Sequence, residues 1–238
     1  MSELKKMYEG KAKILYHGPQ QDEVFVYFKD DTTAFNGEKM EQFQEKGEIN
    51  LKITILIFRY LEKLGIPTHY LKPVDERTIL AKKVHIIPVE FIVRNIATGS
   101  LLKRTPFKEG TVLSEPLLEY FYKSDELGDP LINTNHIRLL ELCSEKELAE
   151  MSEYTLKIND YLSDLFKKTG IKLVDFKVEY GRTSDGEIVL ADEISPDSCR
   201  LWDLQTMEKL DKDVFRKGTG DLIEKYREVL RRLEEELR

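Results

Sequence analysis

The sequence is short of the features that mark membrane, secreted or zinc-built proteins. No apolar run approaches the roughly eighteen residues that cross a bilayer, and the opening MSELKKMYEG has no apolar stretch of the signal-peptide kind. A cytoplasmic protein with no membrane partner is expected. Cysteine is scarce: Cys143 and Cys199 are too few for a disulfide framework and lack CxxC spacing, so both are expected as free thiols. The histidines His17, His69, His85 and His136 are scattered singly, which argues against a histidine-built metal centre. An excess of basic charge is also missing. The formal net charge is -7, and a broad nucleic-acid surface needs clustered Lys and Arg, so no nucleic-acid partner is expected. Arg227, Arg231 and Arg232 do cluster, but they are interleaved with glutamates on one predicted helix and read as a solvated face. Repeats and Ser/Gly linkers are absent, so any domain boundary must be a short hinge.

What is present is a chain of 238 residues, enough for one large domain or two small ones sharing a cleft. Met7 to Tyr16 and Glu23 to Phe28 read as antiparallel strands joined through Gly18, Pro19 and Asp22. Ile49, Ile53, Leu56, Ile57, Tyr60, Leu61 and Leu64 fall on one helical face, stopped by Gly65 and Pro67. Thr78 to Ala97 is rich in Ile and Val; Pro88, which cannot donate to a ladder, is expected to split it into two strands. The hinge is placed at His85 to Pro88, giving domains 1–86 and 87–238. Ser144 and Glu147 form a capping box ahead of a long amphipathic helix ended by Gly170, and another helix runs from about Asp221.

From Lys172 the sequence reads KLVDFKVEYGRTSDGEIVLADEIS. Period-two alternation puts Val174, Phe176, Val178 and Tyr180 on one face and Asp175, Lys177 and Glu179 on the other. Asp185-Gly186 is the preferred pair for a two-residue type I′ turn, and that register sets Glu179 directly opposite Asp192; a three-residue loop would shift it. Opposed carboxylates repel unless a positive group lies between them, and a hard divalent cation shared with substrate phosphates meets that need, as does a merely solvated acidic face. The following loop offers Asp197, Ser198 and Arg200, and loops after such strands commonly grip ligands. Near the N-terminus Gly10 allows close backbone approach, and Lys11 and Lys13 are expected on one strand face, although no Walker loop is present. Arg94, inside an apolar strand, requires an anionic partner, either an internal carboxylate or a substrate phosphate.

Together YEGKAK, DDTTAFNG, VRNIATGSLLKR, LVDFKVEYG, ADEISPDSCRLWD and DKDVFR, in this order, closely resemble the SAICAR synthetase (phosphoribosylaminoimidazole-succinocarboxamide synthase) family over essentially the whole chain. The resemblance implies an α+β fold of two domains. A small antiparallel β domain with a helix, similar to a kinase N-lobe, would cover a larger ATP-grasp-like α+β domain, with ATP in the cleft between them. It implies that Lys11, Ala12 and Lys13 meet the ATP phosphates, that backbone groups around Lys82 and Val84 read adenine, and that Lys123 lies near the ribose or phosphates. Glu179 and Asp192 would hold Mg²⁺. Arg94, Ser100, Asp197, Ser198, Arg200 and Arg216 would grip the carboxyaminoimidazole ribotide, with Lys177, Asp175 and Lys13 at the reacting region. One departure is Cys199, where the family commonly has Ser.

The implied reaction joins the ribotide carboxylate to the amine of L-aspartate at the expense of ATP, through an acyl phosphate, in purine biosynthesis. The implied assembly is a homodimer. Two other readings share the acidic pair: a small-molecule kinase, which would show no aspartate dependence, and a non-catalytic nucleotide-binding module, which should have lost one of Lys11, Lys13, Glu179 or Asp192. A pure scaffold leaves the polar motifs unexplained.

Overall fold

The computed structural model describes residues 5–34 and 39–238, so Phe35, Asn36 and Gly37 of the DDTTAFNG motif lie outside the described residues. The fold is α+β and its sheets are antiparallel. Strands β1 (Lys6–Glu9), β2 (Lys13–His17), β3 (Glu23–Phe28), β6 (Tyr70–Pro73) and β7 (Thr78–Lys82) form one sheet in the order β1-β2-β3-β7-β6. β8 (His85–Ile96), β9 (Val112–Tyr122), β10 (Leu131–Ile132), β11 (Ile171–Arg182), β12 (Ile188–Ala191) and β13 (Cys199–Asp203) form a second, ordered β10-β9-β8-β11-β12, with β13 also on β11. β4 (Asp31–Ala34) and β5 (Lys39–Gln42) make a separate ribbon. The helices are α1 (Lys46–Lys63), α2 (Thr134–Leu139), α3 (Glu145–Lys168), α4 (Asp213–Lys217) and α5 (Leu222–Glu236).

The N-terminal segment departs from expectation. Met7 to Tyr16 is two strands, because Gly10 N–H donates to the Lys13 carbonyl and turns the chain, pairing Glu9 with Ile14. Lys11 therefore sits in the turn while Lys13 opens β2, and the two lysines do not share a strand face. The split expected at Pro88 is also absent. β8 runs through it, and Pro88 occupies an irregularity where the pairing with β11 steps from Glu90–Glu179 to Ile86–Gly181, so no ladder donor is missed there. The chain changes sheets earlier, between the end of β7 at Lys82 and the start of β8 at His85.

Helix α1 follows the predicted apolar stripe and starts with Lys46 and Gly47. Both are buried. A Cβ at Gly47 would lie 2.4 Å from the Phe28 carbonyl oxygen, so the glycine lets the helix start press on β3, and its N–H donates to Asp30 Oδ1 at 3.0 Å. The capping box at Ser144 and Glu147 forms as predicted, and α3 covers the apolar face of β11, where the Tyr180 hydroxyl meets Thr155 Oγ1 at 2.8 Å. α5 starts after Asp221, whose side chain accepts from the Ile223 and Glu224 N–H groups, and it packs on α1. Arg231 pairs within the helix with Glu228 and Glu235, as expected of a solvated face, whereas Arg227 reaches Glu45 and Arg232 reaches Asp203 as well as Glu228. Both cysteines are free thiols.

Candidate active site

β11 organises the site. One of its edges runs along β8, while the other is divided: Ile171 to Phe176 pairs with β13, and Glu179 to Arg182 with β12. Between those two pairings the chain leaves the edge as the loop from Asp192 to Ser198 and returns, and the Lys177 N–H donates to the Ser198 carbonyl at 2.9 Å to close the gap. The face carrying Asp175, Lys177 and Glu179 therefore meets this loop on one side and Arg94 and Glu90 of β8 on the other.

The hairpin register differs from the two-residue-turn expectation by one residue. Thr183 N–H donates to the Glu187 carbonyl at 3.0 Å around a three-residue loop, with Gly186 in the left-handed region at φ 90°, so Glu179 pairs with Ala191 instead of Asp192. Asp192 lies just past the strand end with φ 61°, a conformation that costs a non-glycine residue about 1 kcal/mol or more and that clusters at functional sites. Its carboxylate meets a lysine: Lys13 Nζ donates to Asp192 Oδ1 at 2.5 Å and to Glu193 Oε1 at 2.6 Å. Burial works against the Lys13 charge, but Asp192 and Glu193 outweigh it and hold the ammonium protonated; the same pairing, with help from Lys177, keeps Asp192 below the usual carboxylate range despite burial.

Glu179, directly opposite Glu90 across the ladder, is flanked by cations in the same way. Its Oε1 accepts from Lys123 at 2.9 Å and from Lys177 at 2.7 Å, and Lys177 also donates to Glu90 Oε1 at 2.6 Å. The positive charge demanded by these acids is thus supplied by lysines. Burial disfavours the Lys177 charge, yet Glu179 and Glu90 lift its pKa well above that of ordinary lysine, while burial pushes Glu90 up. Lys13 and Lys177 are therefore both held in the charged form.

Beside this cluster opens a cavity of about 390 Å³, which takes in Lys11, Arg94, Ser100, Asp175, Lys177, Asp197, Ser198, Arg200 and Arg216 among its walls. With Lys212 its cations number six, against the four carboxylates Glu90, Asp129, Asp175 and Asp197, a balance that favours an anionic ligand. Arg94 is buried, and its partners are now specified: Nε donates to Glu119 at 2.7 Å, Nη1 to Asp175 at 2.9 Å and Nη2 to the Ser100 hydroxyl at 3.0 Å. Asp175 also accepts from Arg200 Nη1 at 2.9 Å, because Arg94, Asp175 and Arg200 stand side by side across three strands. Asp213 holds Arg200 at 3.1 Å and Arg216 at 2.7 Å. Lys11 pairs with Asp125 at 2.7 Å; both side chains are exposed, so a ligand could displace that pair at little cost.

Of the remaining predicted residues, Lys82 pairs at the surface with Glu187 at 3.1 Å, and Val84 packs so tightly on Gly181 that a Cβ there would lie 2.4 Å from it. Ala12 contributes its carbonyl to the Lys29 N–H. Sequence reasoning missed Glu90, Glu119, Glu193, Lys46, Asp213 and Lys212. Glu90 was legible in principle, since it alternates with Arg94 along a strand whose other residues are mostly apolar; Glu193 was hidden because it lies in the loop, where alternation no longer applies.

The family model for SAICAR synthetase matches residues 6–233. The phosphoribosylaminoimidazole-succinocarboxamide synthase of Oceanobacillus iheyensis is 53% identical over 229 residues, covering 96% of this chain and 97% of its own. A crystal structure of the corresponding synthase from Ehrlichia chaffeensis superposes with a TM-score of 0.94 at 44% identity, covering 97% of this chain and 98% of that one. A SAICAR synthetase solved in complex with ADP gives a TM-score of 0.92 at 46% identity, over 95% of this chain and 96% of that one.

Proposed function

Given that the chain belongs to the SAICAR synthetase family and is an ATP-dependent ligase of purine biosynthesis, we propose how its residues divide the work. The carrying observation is that Lys177 belongs to both halves of the site: it lines the cation-rich cavity and it bonds Glu179 in the Lys13–Asp192–Lys123 region. The cavity takes the carboxyaminoimidazole ribotide, with Arg94, Ser100, Asp197, Ser198, Arg200 and Arg216 as its grip. The cluster beside it takes ATP, with Lys11, Ala12 and Lys13 at the phosphates, Lys123 near the ribose or phosphates, and the backbone near Lys82 and Val84 at the adenine.

The donor set suits Mg²⁺. Among the described residues no group of three or more His, Cys, Asp or Glu forms a self-sufficient cage, and Mg²⁺ in phosphate sites takes one or two carboxylates together with substrate phosphates and water. Glu179 and Asp192 provide those carboxylates, and the lysine bonds to each fall on a single oxygen. Bound there, the ion would neutralise phosphate charge.

A carboxylate is a poor electrophile, so the ribotide carboxylate accepts the γ-phosphoryl group of ATP with release of ADP, and the resulting acyl phosphate is attacked by the L-aspartate amine, which gives up a proton as phosphate leaves. Lys13 and Lys177, held charged, stabilise the transferring group, and Asp175 keeps the two arginines aligned. No residue need become covalently attached. Two lobes, 1–86 and 87–238, one kinase-N-lobe-like and one ATP-grasp-like, enclose ATP between them; the change of sheet between Lys82 and His85 supports a hinge there. The enzyme works in the cytoplasm as a homodimer.

Purified protein should release ADP over many turnovers, with amide formed in equal amount, only when ATP, Mg²⁺, L-aspartate and the ribotide are all present; multiple turnovers of ADP without aspartate would favour a kinase instead. A narrower outcome concerns Gly99, at φ 58°, where a Cβ would lie 2.7 Å from Arg200 Nη2. Gly99→Ala should displace that guanidinium and lower kcat/KM for the ribotide by about tenfold or more, with KM for ATP unchanged in steady-state assays.

A further inference from the structure

Resting on the reading that Asp197 grips the ribotide, we infer that Tyr226 and Lys46, behind the cavity on two helices, are positioning residues that hold the Asp197 carboxylate in one orientation toward the substrate. Asp197 lines the cavity, whereas Tyr226 and Lys46 do not. Tyr226, on α5, is fully buried and donates its hydroxyl to Asp197 Oδ1 at 2.6 Å. Lys46, at the start of α1 and 1% exposed, places Nζ 2.5 Å from Asp197 Oδ2 and donates to the Asp31 carbonyl at 3.0 Å. The Asp197 N–H donates to Ser195 Oγ at 3.1 Å, so the backbone and Oδ1 are fixed by hydrogen bonds, while buried Oδ2 is held by the charge of Lys46.

The two helices pack on each other, and each contributes one arm of the clamp. A buried Lys–Asp–Tyr cluster adds little stability over apolar packing. Its placement against a cavity wall is what distinguishes it: a carboxylate with free rotation would lose conformational entropy on binding ligand, and this one is already fixed. The groups facing Asp197 are Lys46 from α1, Tyr226 from α5 and Lys212 just before α4. Burial opposes the charge of Asp197, and these three outweigh it, so the carboxyl sits below its ordinary range.

Tyr226→Phe removes one hydroxyl and leaves the ring in place. KM for the ribotide should rise about tenfold, the low end of what a hydrogen bond to a charged group contributes, while KM for ATP stays unchanged. In an Asp197→Asn background the same substitution should have no further effect, since it acts through Asp197. Lys46→Met should shift KM in the same direction and further; Tyr226→Phe decides the matter if that variant does not fold. Unchanged ribotide KM in Tyr226→Phe, alongside an impaired Asp197→Asn, overturns the inference. So do effects that add in the double variant or that fall equally on every substrate. If Asp197→Asn itself leaves ribotide KM untouched, the reading of Asp197 as a substrate ligand fails first.

Discussion

Asp192→Asn is expected to lower turnover by about a hundred- to a thousandfold, the range for loss of one preorganised electrostatic contact at a reacting centre, with little change in thermal stability. Asn is chosen because it tolerates the left-handed backbone that Asp192 adopts at φ 61°, so the substitution tests charge and not strain. The charge matters twice. It fixes Lys13, which would otherwise lean on Glu193 alone, and it supplies one of the two carboxylates proposed to hold Mg²⁺ with ATP. Stability should persist because Asp192 is only partly buried and Lys13 keeps its second partner. Measurement of kcat with a thermal melt on the same preparation checks both halves; near-normal turnover would remove Asp192 from the phosphate and metal site.

The second large effect belongs to Arg94→Met and falls on the fold as well as on activity. Arg94 is 2% exposed and joins Glu119 of β9, Asp175 of β11 and Ser100. Removing its charge leaves Asp175 to Arg200 and Glu119 to Arg104 alone, both carboxylates remaining buried. Breaking a buried pair by deleting one partner costs about 3–5 kcal/mol, so the urea midpoint should fall substantially. In the fraction that stays folded, ribotide binding by calorimetry should be lost while nucleotide binding survives. A variant of unchanged stability would mean that Arg104 and Arg200 alone satisfy the two acids.

How far the chain could be read from its letters differs by element. The helices α1, α3 and α5 were legible because their apolar spacing and caps are local, and the face of β11 was legible because alternation survives wherever a strand is straight. Arg94 was correctly seen to need an anion; that Glu119 and Asp175 supply it depends on β9 and β11 lying on opposite sides of β8, which no local pattern encodes. The hairpin was misjudged by one residue because Asp185-Gly186 suits a two-residue turn, whereas Gly186 instead takes the left-handed end of a three-residue loop. Pro88 misled for a related reason: a proline breaks a strand only where its missing N–H would have been used. The motif resemblance, unlike these geometric steps, carried the chemistry, since nothing in spacing distinguishes a carboxylate that awaits activation from one that merely faces solvent.

The divided edge of β11 has a bearing on how such a site can change. Because β12 and β13 are both stitched to the same strand, the seven residues from Asp192 to Ser198 between them form a seam of fixed length. Losing or gaining one of them would slide β13 by a position and turn Arg200 toward the side now held by Leu201, unless the single irregularity at Leu173 and Asp175 absorbed the slip. A change in this segment is therefore tolerated as an exchange of side chain and not as an insertion or deletion.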